Sequence, residues 1–388
     1  MLAVESMRRV PAVEGDGALR QSLSLLPKEL IRHQGYVYRG SLSPDFRYLA
    51  IKTFWLETLS NGISRTAQGT AVVETTTGKE LLRVTHEGDV EGDVNVVAFS
   101  PDGRYLATGG GSSFLKQGIA RVVETTTGKE LVLVTYEDPV VALAFSPDGR
   151  YLATGSGGGL ARHGIAQVVE TTTGKELIRV THEDPVVALA FSPDGRYLVT
   201  GSGGGLARHG IARVVETTTG KELIRRVSFG VGGVNALAFS PDGRYLAIGS
   251  GDNTAVVVET TTGEELFRVT HEGAVVALAF SPDGRYLATG SEDNTVRVVE
   301  TTTGKEIIRL PHEDDVRAVA FSLDGGVLYT GTVKEKVATL LRHLLRAEDL
   351  IAATCARLTW NLTAEEWKQY LGDTPYRETC DHPGFRKE

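Results

Sequence analysis

Cysteine is nearly absent from this sequence. Two occur in 388 residues, Cys355 and Cys380, both toward the C-terminal end. Disulfides therefore do not staple the body of the chain, which suits a reducing compartment. No apolar run approaches the ~18 residues of a membrane span. Met1 to Val10 carries Arg8 and Arg9, but the apolar segment that a secretory signal needs does not follow. The chain reads as soluble and cytoplasmic. Basic excess is lacking too. The formal net charge is −8, whereas nucleic-acid-binding domains are usually strongly basic. Neither nucleic acid nor a membrane is an expected partner. Aromatic residues make up only 7%, while glycine is abundant at 45 residues. That mixture suits many short strands joined by tight turns.

What the sequence has instead is repetition. Length alone suggests two or three domains, but a repeat architecture escapes that expectation. The phrase FSPDGRYLATG begins at Phe99, Phe145 and Phe280, with close variants at Phe191 and Phe239. Degenerate copies begin at Ser41 and Phe321, which makes seven units. A second phrase, VVETTTGKE or a near copy, follows six of them, as at Val72, Val122, Val168, Val214 and Val298. One unit reads as four strands: 140–145, 151–154, 165–170 and 176–181. Between the first two, Ser146-Pro147-Asp148-Gly149 is a turn in which Pro presets one dihedral and Gly takes the positive one. Four short strands per repeat of roughly 40–46 residues select a propeller over a sandwich. The fold class is all-β, a seven-bladed β-propeller with a short α-helical C-terminal extension.

Closure is legible as well. The seventh unit has no TTTGKE phrase, but Lys28-Glu29-Leu30-Ile31-Arg32 repeats Lys175-Glu176-Leu177-Ile178-Arg179, the fourth strand of another unit. Residues 28–33 are thus expected to complete the last blade and remove an open edge. The domain reading follows: a flexible segment 1–27, a ring 28–343, and a helical tail 344–388 packed on the ring. In the tail, 346–358 reads as helix, and a second helix starts at Thr363 with capping-box spacing to Glu366 and stops at Gly372.

Three features resemble the WD-repeat family. They are the His-Glu-Gly or His-Glu-Asp segment before strand a, the Ser-Pro-Asp-Gly-Arg-Tyr-Leu hairpin, and the run Asp293-Asn294-Thr295-Val296-Arg297-Val298-Val299-Glu300. That family has Trp-Asp where Val299-Glu300 stands. The resemblance covers about Pro27 to His343. No copy carries the family's Trp, and the turn Asp persists only at Asp252 and Asp293. The family's Asp–His–Ser/Thr–Trp network is therefore incomplete in every blade. The resemblance implies a non-catalytic recognition ring and a structural role for His86, His182, His271 and His312, whose place Tyr136 takes in another blade. The tail from Ala347 to Cys380 is similar to the tail of bacterial WD-repeat proteins, several of which are the sensing ends of STAND-type signalling proteins. That likeness implies a sensing or docking role.

Residues with chemical potential mostly have a plainer use. Thr-Gly-Lys-Glu, as at Thr77 to Glu80, lacks the second Gly and the following Ser or Thr of a phosphate-binding loop, and recurs as a turn. The glycines at 155–159 and 201–205 lack the third Gly of a dinucleotide fingerprint. One His per blade diverges around a ring, whereas a metal needs converging ligands. Glu183-Asp184 and Glu313-Asp314-Asp315 sit at repeat-equivalent turns and read as solvated charges. Cys355 lies in an apolar helical stretch and reads as a packed thiol. No nucleophile elbow occurs. No cofactor, metal or catalytic residue is expected.

The connections between the second and third strands carry the strongest functional signal. They are short in blades five and six, at Gly251 to Thr254 and Glu292 to Thr295, and enlarged in blades one to four. Blade one carries Phe54 and Trp55 in a segment running to Gly69. Blades two to four align Phe114 and Lys116 with Leu160, Arg162 and His163, and with Leu206, Arg208 and His209. Three adjacent blades thus present an apolar residue and then a cation, a basic and greasy arc on an acidic protein. Loops on a rigid scaffold are where binding residues concentrate. The plainer alternative pairs Arg162 and Arg208 with Glu137, Asp138, Glu183 and Asp184, in loops merely copied by duplication. The leading reading is a protein-interaction or sensor scaffold, monomeric as an isolated chain, in a bacterial signalling or defence assembly. Its partner would be another protein offering an acidic or phosphorylated segment. A hydrolase with an axial active site and a purely structural spacer are the alternatives.

Overall fold

The computed structural model describes residues 28–34, 40–43, 47–58, 64–77, 79–85, 93–112, 117–157, 163–203, 209–334 and 337–345, with Glu365 and Lys368. Their backbone forms seven four-stranded antiparallel sheets, the blades of a β-propeller. The third blade shows the pattern, with strands a to d at Val140–Phe145, Tyr151–Ser156, Gly164–Glu170 and Glu176–His182. These extend the expected bounds by no more than two residues. Strands a of adjacent blades pack on one another around the axis. Strands b and c are buried along nearly their whole length, because neighbouring blades cover both faces. Strand d alternates buried and exposed, as an outer strand should.

The two repeated phrases are the two hairpin turns. In the a–b turn, Ser146 Oγ donates to Asp148 Oδ1 at 2.6 Å and accepts from the Tyr151 amide at 2.9 Å. Asp148 also accepts from the Arg150 amide at 3.1 Å, and Gly149 takes φ +69°. In the c–d turn, Thr173 Oγ1 donates to Glu170 and accepts from the Lys175 amide, with Gly174 at φ +71°. Thr-Gly-Lys-Glu is thus hairpin backbone. The antiparallel meander puts both turns on one face of the ring, here the turn face. The b–c and d–a connections lie on the other, the loop face.

Blade seven is assembled from both ends of the chain. Its strands Val316–Phe321, Val327–Lys334 and Val337–Leu344 are followed in the sheet by Lys28–Gln34. Lys28 pairs with Arg342 and Gln34 with Val337. Every strand d carries a β-bulge after its Glu, and the residue skipped is apolar: Leu30, Leu81, Leu131, Leu177, Leu223, Leu266 or Ile307. Bulges and the charged Glu and Arg beside them blunt a free edge against strand addition.

Blade one departs from the sequence reading. In the enlarged segment from Phe54 to Gly69, residues 54–58 and 64–69 continue the ladder, and 59–63 lie outside the described residues. Tyr48–Thr58 and Ser64–Glu74 stay in unbroken register, with Trp55 opposite Ala67 and Thr58 opposite Ser64. The β-branched and aromatic residues of 51–58 favour strand, and Asn61-Gly62 is a hairpin signal in the sequence. Segment 1–27 lies outside the described residues. Of the tail 344–388, Leu344 ends a strand and Leu345 follows it, Glu365 and Lys368 are helical and exposed, and the rest lies outside the described residues.

Candidate protein-binding face

The loop face is built in two styles. Blades five and six seal it with tight turns, where Asn253 and Asn294 adopt φ +71° and +63°. Asp293 Oδ1 accepts from the Thr295 amide at 2.9 Å and its hydroxyl at 2.6 Å. Its other oxygen receives His271 Nδ1 and the Glu272 amide, both at 3.0 Å. His271 Nε2 meets Thr289 Oγ1 at 2.8 Å. The network therefore clamps the end of blade five onto blade six. Burial pushes the Asp293 carboxyl up, but the Thr295, Glu272 and His271 bonds outweigh it and hold the group down at about 2. Replacing Asp293 with Ala removes the carboxylate that binds a buried imidazole nitrogen, a hydroxyl and two amides, and leaves His271 Nδ1 only the longer contact to Thr295 Oγ1 at 3.3 Å. Urea unfolding should show a loss of about 2 kcal/mol.

Blades two to four lack in sequence the Asp-Asn pair that forms the turns of blades five and six. Ser112 pairs with Gln117 across residues 113–116, Ser156 with Ile165, and Ser202 with Ile211. His182 shows the consequence. It keeps Thr200 Oγ1 at 3.0 Å, but its buried Nδ1 has no partner among the described residues. Each enlarged connection ends in a glycine against the following d–a segment. A Cβ on Gly164 would lie 2.6 Å from the Asp184 carbonyl oxygen. Gly164→Ala should therefore cost about 1–3 kcal/mol, read from the thermal unfolding midpoint.

Of the residues singled out in the sequence, Phe114, Lys116, Leu160, Arg162, Leu206 and Arg208 lie outside the described residues. His163 is exposed, immediately before strand c of blade three. His209 opens the strand His209–Glu216 and pairs with Val231. Trp55 stands in the blade-one hairpin described above. His86 lies outside the described residues. His312 meets Thr330 Oγ1 at 2.8 Å, so with His182 and His271 it takes the structural position expected of the repeat.

One cluster was missed. Arg317 in strand a of blade seven reaches Glu292 of blade six and Asp315 of its own d–a segment, both at 2.6 Å. The signal was available, since VRAVAF puts a cation where other copies read VVALAF. At the equivalent positions of blades two and five, Asn95 and Asn235 donate to the Val140 and Val275 carbonyls of the next blade at 3.4 Å. The described inner strands thus meet the loop face with amide, valine and one paired guanidinium. Among the described residues no three His, Cys, Asp or Glu gather as metal ligands.

The family described as WD domain, G-beta repeat (WD40) matches residues 79–117, 129–162, 175–209, 225–258 and 263–300. The ring is a WD40-repeat propeller. Each match takes strand d of one blade and strands a and b of the next, and the last two also take strand c, so successive WD40 repeats interlock. The degenerate units at either end fall outside the matches. WD40 propellers are generally non-catalytic scaffolds for protein–protein interaction. No curated protein matches the chain. No helix among the described residues is long and apolar enough to cross a membrane.

Proposed function

We propose that this WD40 propeller is a non-catalytic docking or sensing scaffold whose loop face receives a protein partner. The observation that carries the reading is the contrast on that face. Blades five and six close it with capped turns, while the longer connections of three adjacent blades lack that Asp-Asn pair in sequence. In the sequence those connections align Lys116, Arg162 and Arg208 beside Phe114, Leu160 and Leu206, flanked by His163, His209 and Trp55. One rim cation contributes about 0–1 kcal/mol. Three acting on one anionic segment steer association and fix its register. An acidic or phosphorylated segment is the partner chemistry that fits. The resemblance of the tail supports a cytoplasmic place in a bacterial signalling or defence assembly, with the isolated chain monomeric.

The test compares faces. Wild-type protein, a loop-face variant (Lys116→Glu, Arg162→Glu, Arg208→Glu) and a turn-face variant (Lys129→Glu, Lys175→Glu, Lys221→Glu) are used as bait on lysate of the source organism. A partner held by wild type should be lost from the loop-face variant alone, and its retention should fall with added salt. Equal retention by the loop-face variant overturns the arc. The axial-hydrolase reading is tested separately: the purified chain should turn over ATP, peptide and ester substrates no faster than buffer.

A further inference from the structure

The seven a–b turns share Ser and Asp but differ in the residue between them. Six carry Pro second, at Pro44, Pro101, Pro147, Pro193, Pro241 and Pro282, and the seventh carries Leu323. The turn does not ask for leucine. Ser322 Oγ still donates to Asp324 at 2.6 Å and accepts from the Val327 amide at 2.9 Å, with Gly325 at φ +68°. Pro would preset the required dihedral. Leucine leaves an apolar side chain 77% exposed, against 37–49% for the other exposed large hydrophobics among the described residues.

The chain leaves the ring beside that leucine. In blades two to six the c–d turn carries a glycine that lies over strand d of the preceding blade: Gly128 over Leu82, Gly174 over Val132, Gly220 over Ile178, Gly263 over Ile224 and Gly304 over Phe267. Blade seven has no c–d turn, because its strand d is Lys28–Gln34. Leu345 packs instead in the cluster that holds Ile308, the next residue in that series. Its amide donates to the Gly326 carbonyl at 2.9 Å, within the hairpin that carries Leu323. Residues 346–388 therefore set out from the turn face, at the blade whose turn bears the leucine. They include Leu350, Ile351, Leu358, Trp360, Trp367 and Leu371. Large apolar groups that start beside an exposed leucine are covered most readily by one another.

We propose that segment 346–388 folds back on the turn face of blade seven and covers Leu323. The occupant is this chain itself, at an effective concentration set by a tether of a few residues. The seventh turn is thereby a docking hook rather than a worn copy of the repeat. The turn face near blade seven is closed to other partners, which leaves the loop face open. This inference does not depend on what the loop face binds.

Limited trypsinolysis of the full chain tests it, following cleavage after Arg346, Arg357 and Lys368 against that of a free 346–388 peptide. Wild type should be cut slowly. Leu323→Glu should raise the rate about tenfold or more, because cleavage follows the undocked population. Leu323→Pro restores the residue of the other six turns and should release the tail equally while leaving ring melting unchanged. The proposal fails if wild-type tail is cut as fast as the free peptide, or if neither variant changes the rate. It also fails if only the Glu variant does, since the effect then follows the charge and not the leucine.

Discussion

Removal of residues 1–34 should lower the melting temperature by about 10 °C or more and cause self-association, whereas removal of 1–27 should leave both unchanged. The difference is the strand Lys28–Gln34. It forms the outer edge of blade seven through six register pairs with Val337–Leu344. Without it that strand becomes a free edge, and edges recruit other chains. Each backbone hydrogen bond contributes a net ~0.5–1.5 kcal/mol, so the ladder is worth several. The melting temperature of a domain of this size moves about 2–4 °C per kcal/mol. Scanning calorimetry and size-exclusion chromatography read both effects. An unchanged transition in the 1–34 deletion would show that the ring does not depend on a closing strand.

Acid should weaken the ring through a single histidine by about 3 kcal/mol between pH 6.5 and 4. His182 is 2% exposed, and burial, followed by the Arg213 charge, pushes its imidazole down from 6.5 to about 4. The folded state holds the ring neutral, while the unfolded chain takes a proton near its ordinary value. Stability is therefore full above about 6.5 and is lost as pH falls toward 4, below which the loss levels off. His271 and His312 are lowered too, chiefly by burial, and add in the same direction. Asp293 acts further down. With its carboxyl held at about 2, its contribution is present above about 4 and disappears as pH falls toward 2. The repeat supplies the control. Tyr136 stands where His182 does in the neighbouring blade, and burial lifts its hydroxyl to about 12. His182→Tyr should remove about 3 kcal/mol of the difference between urea unfolding at pH 7 and pH 4. An equal pH dependence in that variant would contradict the assignment.

The repeat made the fold legible. Ser-Pro-Asp-Gly and Thr-Thr-Thr-Gly each encode a local geometry, positive φ at Gly149 and Gly174, and their repetition along the chain leaves few arrangements. The blade-one hairpin was not legible by that route. Its residues match no other copy, and only the strand propensity of 51–58 and Asn61-Gly62 pointed to it. The strand d bulges were invisible for a different reason. The sequence Glu-Leu-Ile alternates no differently from an unbulged strand, and the skipped residue is fixed by pairing with strand c, as where Val168 faces Ile178 and Val169 faces Glu176. The candidate site was legible in position more than in chemistry. Aligning the copies shows which connections are enlarged. The Arg317–Glu292–Asp315 cluster depends on residues from two blades, which no single repeat contains.

Hydrogen–deuterium exchange of the propeller, free and with its captured partner, tests the central claim most directly. Backbone amides in 113–117, 158–164 and 204–210 should gain protection in the complex, with those of the blade-one hairpin 54–68 beside them. The turn-face amides, such as Arg150, Lys175 and Arg196, should exchange as in the free ring. Protection confined to the Ser-Pro-Asp-Gly and Thr-Thr-Thr-Gly turns, with the enlarged connections unchanged, would contradict the assignment of the loop face as the binding face.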